Sequence, residues 1–114
     1  MKILITAALL AFAAPALAGA FWPGTVVGVA SNDVLNIRKW PGASSKIIAI
    51  APPNGALSLT GRCKNIKTNV SFQIDGPETA AKKHGWMKKP NVWCQVMTPS
   101  AGQGWVRGSF VWPQ

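Results

Sequence analysis

Short segments of alternating apolar and polar residues dominate the chain after residue 20. Leu35–Arg38 (LNIR), Ala56–Cys63 (ALSLTGRC) and Trp93–Thr98 (WCQVMT) each place apolar side chains at every second position over part of their length. Successive side chains of a strand point to opposite faces, so this alternation predicts strands with one face turned to a core.

The remaining predicted strands are short segments with Gly and Pro turns nearby, and Val70–Asp75 among them also alternates. They are Thr25–Ala30, Lys46–Ile50, Val70–Asp75, Gly104–Arg107 and Phe110–Trp112. Many short strands at close spacing favour an all-β fold, a small barrel or sandwich. One short helix is predicted from Glu78 to His84, because Pro77 precedes it and Gly85 follows it.

Strand parity makes a prediction about the two cysteines and their neighbour. Cys63 shares its parity with Leu57, and Cys94 shares its parity with Val96, so both cysteines are expected to face the core. Trp93 is then expected to point outward. An outward tryptophan is unusual unless something covers it, which makes Trp93 a candidate contact residue.

The first 18 residues have the features of a signal peptide. Lys2 is followed by the apolar run Ile3–Ala14, Pro15 breaks this run, and Ala16-Leu17-Ala18 fits an A-x-A cleavage site. Cleavage after Ala20 fits as well. An uncleaved anchor is the alternative, but a run of about a dozen residues is shorter than the roughly 20 that a spanning helix needs. We therefore expect one domain, residues 19–114, with no transmembrane span after cleavage.

The chain has two cysteines, and in an exported protein the simplest expectation is a Cys63–Cys94 disulfide. Closing a loop of about 32 residues should stabilise the fold by about 3.5–4 kcal/mol in the chain-entropy description. A redox-active pair is the alternative, and the wide spacing of the two residues disfavours it because it is not a C-x-x-C motif.

Positive charge narrows the choice of partners. Loss of Lys2 leaves eleven basic residues against three acidic ones, a net charge near +8. Such a chain attracts polyanions. Inside a cell this would suggest nucleic acid, but export favours cell-wall polymers, lipopolysaccharide or acidic glycans, so nucleic acid is not expected. The alternative is that the charge serves solubility alone.

Several short motifs, taken in order, resemble the exported bacterial SH3-like domains. They are Asp33–Arg38 followed by Pro41-Gly42, then Gly61–Cys63, Trp93–Val96, Gly104–Val106 and Phe110-Val111. The resemblance spans Val26 to Val111. It implies a small five-stranded β-barrel and binding to cell wall or peptide. In many members the two cysteines flank a tight hairpin, whereas here a basic insertion of about residues 64–91, with an extra strand and a short helix, lies between them.

Two sets of residues are candidate sites. The first is an aromatic groove with flanking arginines, because flat rings stack on sugars and peptide planes: Trp40, Trp93, Trp105, Phe110, Arg38 and Arg107. The second is an anion-binding cluster of Lys82, Lys83, Lys88 and Lys89. The alternatives are that the tryptophans belong to the core and that the lysines form a solvated face.

Enzymatic and metal chemistry are not expected. The chain has three scattered carboxylates and one histidine, so no catalytic residue, metal ligand or cofactor is assigned. We expect a periplasmic or secreted, non-enzymatic SH3-like binding module. Its ligand would be a peptidoglycan peptide, a glycan or another anionic extended chain of the cell envelope. The alternative is a protein–protein interaction module that uses the 64–91 insertion in secretion or host contact.

Overall fold

The computed structural model describes residues 21–114 and contains eight strands and one helix. The predicted signal peptide, residues 1–18, lies outside the described residues. The expectation of an all-β fold is confirmed. The elements are β1 (Trp22–Val26), β2 (Leu35–Arg38), β3 (Ile47–Ala51), β4 (Ala56–Asn65), β5 (Val70–Gln73), α1 (Ala80–Met87), β6 (Val92–Thr98), β7 (Gly102–Arg107), a 3-10 turn (Gly108–Phe110) and β8 (Val111–Pro113).

All the strands belong to one antiparallel sheet. Its order is β3-β2-β7-β6-β4-β1-β8, and β5 pairs with β4 beside this path. The long strand β4 explains the branch. Its first half, Ala56–Leu59, pairs with β1, its second half, Arg62–Asn65, pairs with β5, and β6 runs along its other edge.

One face of the sheet encloses a single hydrophobic core. Ala51 of β3 and Val111 of β8, from the two ends of the sheet, belong to the same buried cluster as Val96 of the central strand β6. The sheet must therefore curl around this cluster. Burial of apolar side chains of this kind is the main stabilising contribution to folding.

The predicted disulfide is present between the two central strands. Cys63 and Cys94 are directly opposite each other in the β4–β6 register, bonded, and 0% and 1% exposed. The inward parity predicted for both cysteines is confirmed. The bond therefore fixes the pairing of β4 with β6 from the core side.

The segment between the cysteines is part of the core and not an appended loop. Ile74 and Met87 from this segment are both buried in the main cluster. The ring of His84 on α1 lies 2.8 Å from β8, where its Nδ1 donates to the carbonyl of Val111. Gly108 allows the end of the helix to approach, because a Cβ there would clash with the carbonyl oxygen of Met87.

Most element boundaries differ from the sequence prediction by one or two residues, and the first strand and the helix differ most. The first strand was expected at Thr25–Ala30 but ends at Val26, because Gly28 adopts a φ of 73° and turns the chain away. The helix was expected to start at Glu78 and end before Gly85. It starts at Ala80, since the side chain of Thr79 caps it by accepting from the Lys82 amide at 3.2 Å, and it continues to Met87.

Removing the disulfide should lower the free energy of unfolding by about 3 kcal/mol, because the bond closes a loop with a sequence separation of 31. The double variant Cys63→Ala/Cys94→Ala, compared with the oxidised wild type in urea, measures this loss. A difference below about 1 kcal/mol would contradict a stabilising role for the bond.

Met87→Ala should destabilise the protein by about 2–4 kcal/mol, because it leaves a cavity at a fully buried position. Val70→Ala is the matched control within the same segment, since Val70 is 58% exposed, and it should change the free energy of unfolding by less than about 0.5 kcal/mol. Equal effects of the two substitutions would show that the segment does not contribute to the core.

Candidate ligand-binding site

The strand register defines a basic and aromatic face on the side of β2, β7, β6 and β4 opposite the core, called here the outer face. Trp93 pairs with Arg107, and Trp105 pairs with both Gln95 and Arg38. Cross-strand partners lie on the same side of a sheet. These five residues therefore share the outer face, while Cys94 and Val106 point to the core.

Trp93 and Trp105 point outward, as parity predicts for Trp93, but other side chains cover both of them. The two side chains are 3% and 6% exposed, and neither belongs to the core cluster. Arginines provide part of their cover. The guanidinium of Arg107 lies 5.4 Å from the ring centroid of Trp93, and that of Arg62 lies 5.7 Å from the ring of Trp105. A cation over an indole face is a favourable contact.

A cavity of about 410 Å³, called here the Trp93 pocket, contains the first of these pairs. Phe110, which is half-buried, and Arg38 line it together with Trp93 and Arg107, and Asp33 adds one carboxylate. Arg38 is oriented by a bond of 2.7 Å from its Nη1 to the carbonyl of Ser45. The Nε1 of Trp93 is buried and has no hydrogen-bond partner within residues 21–114.

A second cavity of about 340 Å³, the Trp105 pocket, contains the other pair. Trp40 flanks it and is 64% exposed, the largest exposure among the large hydrophobic residues described. No acidic residue lines this pocket. Its lining consists of two tryptophans, three cations, two glutamines and a proline: Trp40, Trp105, Lys39, Arg62, Lys64, Gln95, Gln103 and Pro41.

The β2–β3 loop explains why there are two pockets where the sequence suggested one aromatic groove. A backbone bond of 2.8 Å from Lys39 N–H to the carbonyl of Lys46 closes this loop. Ala43 of the loop lines the Trp93 pocket, while Trp40 lines the Trp105 pocket. The four predicted aromatic residues are therefore brought together as two pairs, Trp93 with Phe110 and Trp40 with Trp105.

The predicted lysine cluster does not form one exposed patch. Lys82, Lys88 and Lys89 are exposed, but Lys83 is only 7% exposed, so its presence in a solvated anion-binding set is a wrong expectation. Lys83 lies on the side of α1 that packs on the domain with Met87, and its long aliphatic stem suits that position. None of these lysines lines the Trp93 or Trp105 pocket.

The segment between the cysteines has a cavity of its own, of about 600 Å³, called here the insertion cleft. Val70, Phe72, Trp86 and Val92 provide its apolar lining, and Lys89 lies at the same cleft. The Nζ of Lys82 is 5.9 Å from the ring centroid of Trp86. Lysines are thus adjacent to an apolar cleft and separate from the outer face.

Sequence reasoning missed Arg62 and Lys64 as site residues. The signal was present, since both flank Cys63 and must therefore point to the side opposite this inward cysteine. Gln95 and Gln103 were also missed. Their amides are connected at 3.3 Å, and the hydroxyl of Thr60 donates to Gln95 Oε1 at 2.9 Å, which gives the Trp105 pocket an ordered polar side.

Residues 21–114 lack the features of a metal site and of a membrane-spanning helix. Residues 21–114 contain no group of three or more His, Cys, Asp or Glu residues placed to hold a metal ion. Within this range no helix has the length and apolar character required to cross a membrane. Scans against protein-family models, curated proteins and solved structures found no match for the chain.

Proposed function

We propose that the protein is an exported, non-enzymatic binding module with an SH3-like barrel, acting in the periplasm or after secretion. Its ligand is an extended anionic chain of the cell envelope, such as a peptidoglycan peptide or glycan strand, bound on the outer face. The disulfide supports this compartment, because such bonds persist in oxidising environments outside the cytoplasm. The sequence resemblance supports the ligand class.

The composition of the Trp105 pocket is the observation that carries the proposal. Trp40 is largely exposed and can stack on a sugar face or a peptide plane, at a low cost in side-chain entropy. Lys39, Arg62 and Lys64 add three positive charges with no carboxylate among the lining residues. An aromatic surface with uncompensated cations suits a chain that is both flat-faced and anionic.

The net charge supports the same ligand. The charge of the chain without Lys2, near +8, attracts polyanions from a distance and raises their association rate. Exposed charges are screened at distances beyond about 8–10 Å at physiological salt. The long-range attraction thus speeds association of the ligand with the protein. The ring contacts in the Trp105 pocket provide the part of the binding energy that salt does not screen.

Trp40→Ala should reduce retention on purified cell-wall sacculi about tenfold at about 150 mM salt, since loss of one stacking contact costs about 1–3 kcal/mol. The matched control is Trp112→Ala, which removes another partly exposed tryptophan, 37% exposed and outside both outer-face pockets. Retention should be measured by sedimentation of the oxidised protein with sacculi. Equal retention of wild type and Trp40→Ala would rule out the Trp105 pocket as the binding site.

A second candidate function is protein–protein interaction through the insertion, in secretion or host contact. The observation that favours it is the insertion cleft beside β5. β5 pairs with β4 along one edge, no other described strand pairs with it, and its Val70 is 58% exposed. An open strand edge next to an apolar cleft suits an extended segment of a partner protein, which would add to the sheet.

A photo-cross-linking residue at position 70 should capture one discrete envelope protein in living cells if this second function holds. The control position is Ile47, an aliphatic residue of β3 that is 45% exposed. Deletion of residues 64–91 is a poor test because it also removes Ile74 and Met87 from the core. The same products at positions 70 and 47, or none, would exclude this function.

A further inference from the structure

We infer that the Trp93 pocket is a carboxylate-binding subsite, in which Arg107, Arg38 and the indole N–H of Trp93 hold one carboxylate of the ligand. This inference rests on the proposed function, because it specifies a chemical group of the envelope ligand. It concerns a different pocket from the one that carries the proposed function.

The Trp93 indole nitrogen is the first observation. Within residues 21–114, Trp93 Nε1 is the single buried side-chain nitrogen or oxygen recorded without a hydrogen-bond partner. Buried tryptophans normally place this N–H on an acceptor, because a buried donor without one loses the hydrogen bond it made to water. A ligand atom that accepts a hydrogen bond in this pocket would remove that loss.

The two arginines are the second observation, since both line the same pocket as Trp93. A guanidinium has five N–H donors in a planar fork that matches the two oxygens of a carboxylate. The Nη1 of Arg38 donates to the Ser45 carbonyl at 2.7 Å, which holds this guanidinium in place and leaves other donors free. Arg107 is exposed, so its guanidinium is accessible to a ligand.

The position of Arg107 links the arginines to the indole. Its guanidinium lies 5.4 Å from the centroid of the Trp93 ring and covers it. A carboxylate that pairs with Arg107 therefore arrives close to the indole of Trp93. In the proposed complex, the exposed Arg107 side chain rotates towards the ligand, and the ring of Trp93 and its N–H become accessible for contact.

The charge of the pocket selects the kind of anion. Arg38 and Arg107 give two positive charges, and Asp33 on the same lining gives one negative charge, so the net charge is +1. Asp33 Oδ1 accepts from the Val34 amide at 2.8 Å, which holds this carboxylate near its own loop. One net positive charge suits a single carboxylate and disfavours a phosphate dianion. A volume of about 410 Å³ lies within the range of small-ligand pockets.

The test is a titration of the oxidised, ¹⁵N-labelled protein with four probes, following the indole N–H resonance of Trp93. N-acetyl-dialanine carries the carboxylate, and its C-terminal amide is the same molecule without the charge. The acid should bind about tenfold or more tightly than the amide, because it gains charge-assisted hydrogen bonds, and it should shift the Trp93 resonance. Equal binding of acid and amide would overturn the inference.

Two further probes separate the sources of the anion. Glucuronic acid carries its carboxylate on a sugar, so tighter binding of N-acetyl-dialanine assigns the subsite to a peptide carboxylate, and tighter binding of glucuronic acid assigns it to a glycan. Either ranking supports carboxylate recognition. Inorganic phosphate should bind more weakly than the better of these two acids. Tighter binding of phosphate would contradict the charge argument and with it the inference.

The chain offers a matched control for the arginine–tryptophan pair. Arg107→Gln and Trp93→Phe should each weaken binding of the better acid by about tenfold. Lys67→Gln removes an exposed cation and Trp112→Phe alters a partly exposed tryptophan, both outside the two outer-face pockets, and these variants should leave it unchanged. An equal loss in both sets would assign the effect to overall charge or folding. If Trp93→Phe does not fold, Arg107→Gln is sufficient for the test, because Arg107 is exposed and its substitution does not disturb the core.

The outcome of this titration can be distinguished from the outcome of the sacculus test of the proposed function. If acid and amide bind alike while Trp40→Ala still loses its retention on sacculi, the carboxylate subsite is excluded and the proposed function stands. If the wild type is not retained on sacculi but prefers the acid to the amide, the subsite stands and the envelope ligand is excluded.

Discussion

The pairing of β4 with β6, bonded from the core side by Cys63 and Cys94, is the constraint on which the rest of the structure depends. Side chains alternate along a strand, so the inward position of Cys94 forces Trp93 and Gln95 to the outer face. A slip of one residue in this pairing would exchange the two faces of β6. The covalent bond excludes that slip, and the register with β7 then places Arg107 and Trp105 beside them. The composition of the outer face is thus a consequence of strand register.

The outer face shows how a sheet can hold two large apolar rings on the side away from its core. Trp93 and Trp105 are almost completely buried there, each beneath the guanidinium of an arginine. The arginines cover the rings and keep their own charges at the surface. This arrangement connects the two chemical features of the site, since an anion attracted by Arg62 or Arg107 arrives where an indole lies.

The alternation of apolar and polar residues predicted the strands well, but it did not predict which residues cover their outer face. Alternation in β2, β4 and β6 gave the direction of each side chain, including the inward cysteines and the outward Trp93. The low exposure of Trp93 depends on Arg107, Phe110 and residues 28–36, which line the same pocket. These residues are remote from Trp93 in sequence, so the local pattern around Trp93 does not indicate its exposure. The division into two pockets depends in the same way on the β2–β3 loop. Arg62, in contrast, was predictable from its position next to Cys63.

The segment between the cysteines shows a similar limit of sequence reasoning. Its lysines and its length suggested a basic loop added to a finished domain, yet Ile74 and Met87 complete the core and His84 binds the backbone of β8. The alternation that marks β5 and Pro77 ahead of α1 predict that these elements exist, although Gly85 lies inside the helix and does not end it. These features do not indicate which side of the short helix packs against the domain, because eight residues are too few for a clear apolar periodicity. The position of Lys83 is the clearest case.

The two outer-face pockets differ in charge, and this difference has a consequence for any ligand long enough to reach both. The Trp105 pocket is lined by three cations and no acid, whereas the Trp93 pocket combines two arginines with Asp33. Under the proposed function, a chain across the β2–β3 loop would place one carboxylate at Trp93 and its flatter or more anionic part between Trp40 and Trp105. The reverse orientation would put several negative charges beside Asp33. The asymmetry in charge therefore favours one direction of the bound chain.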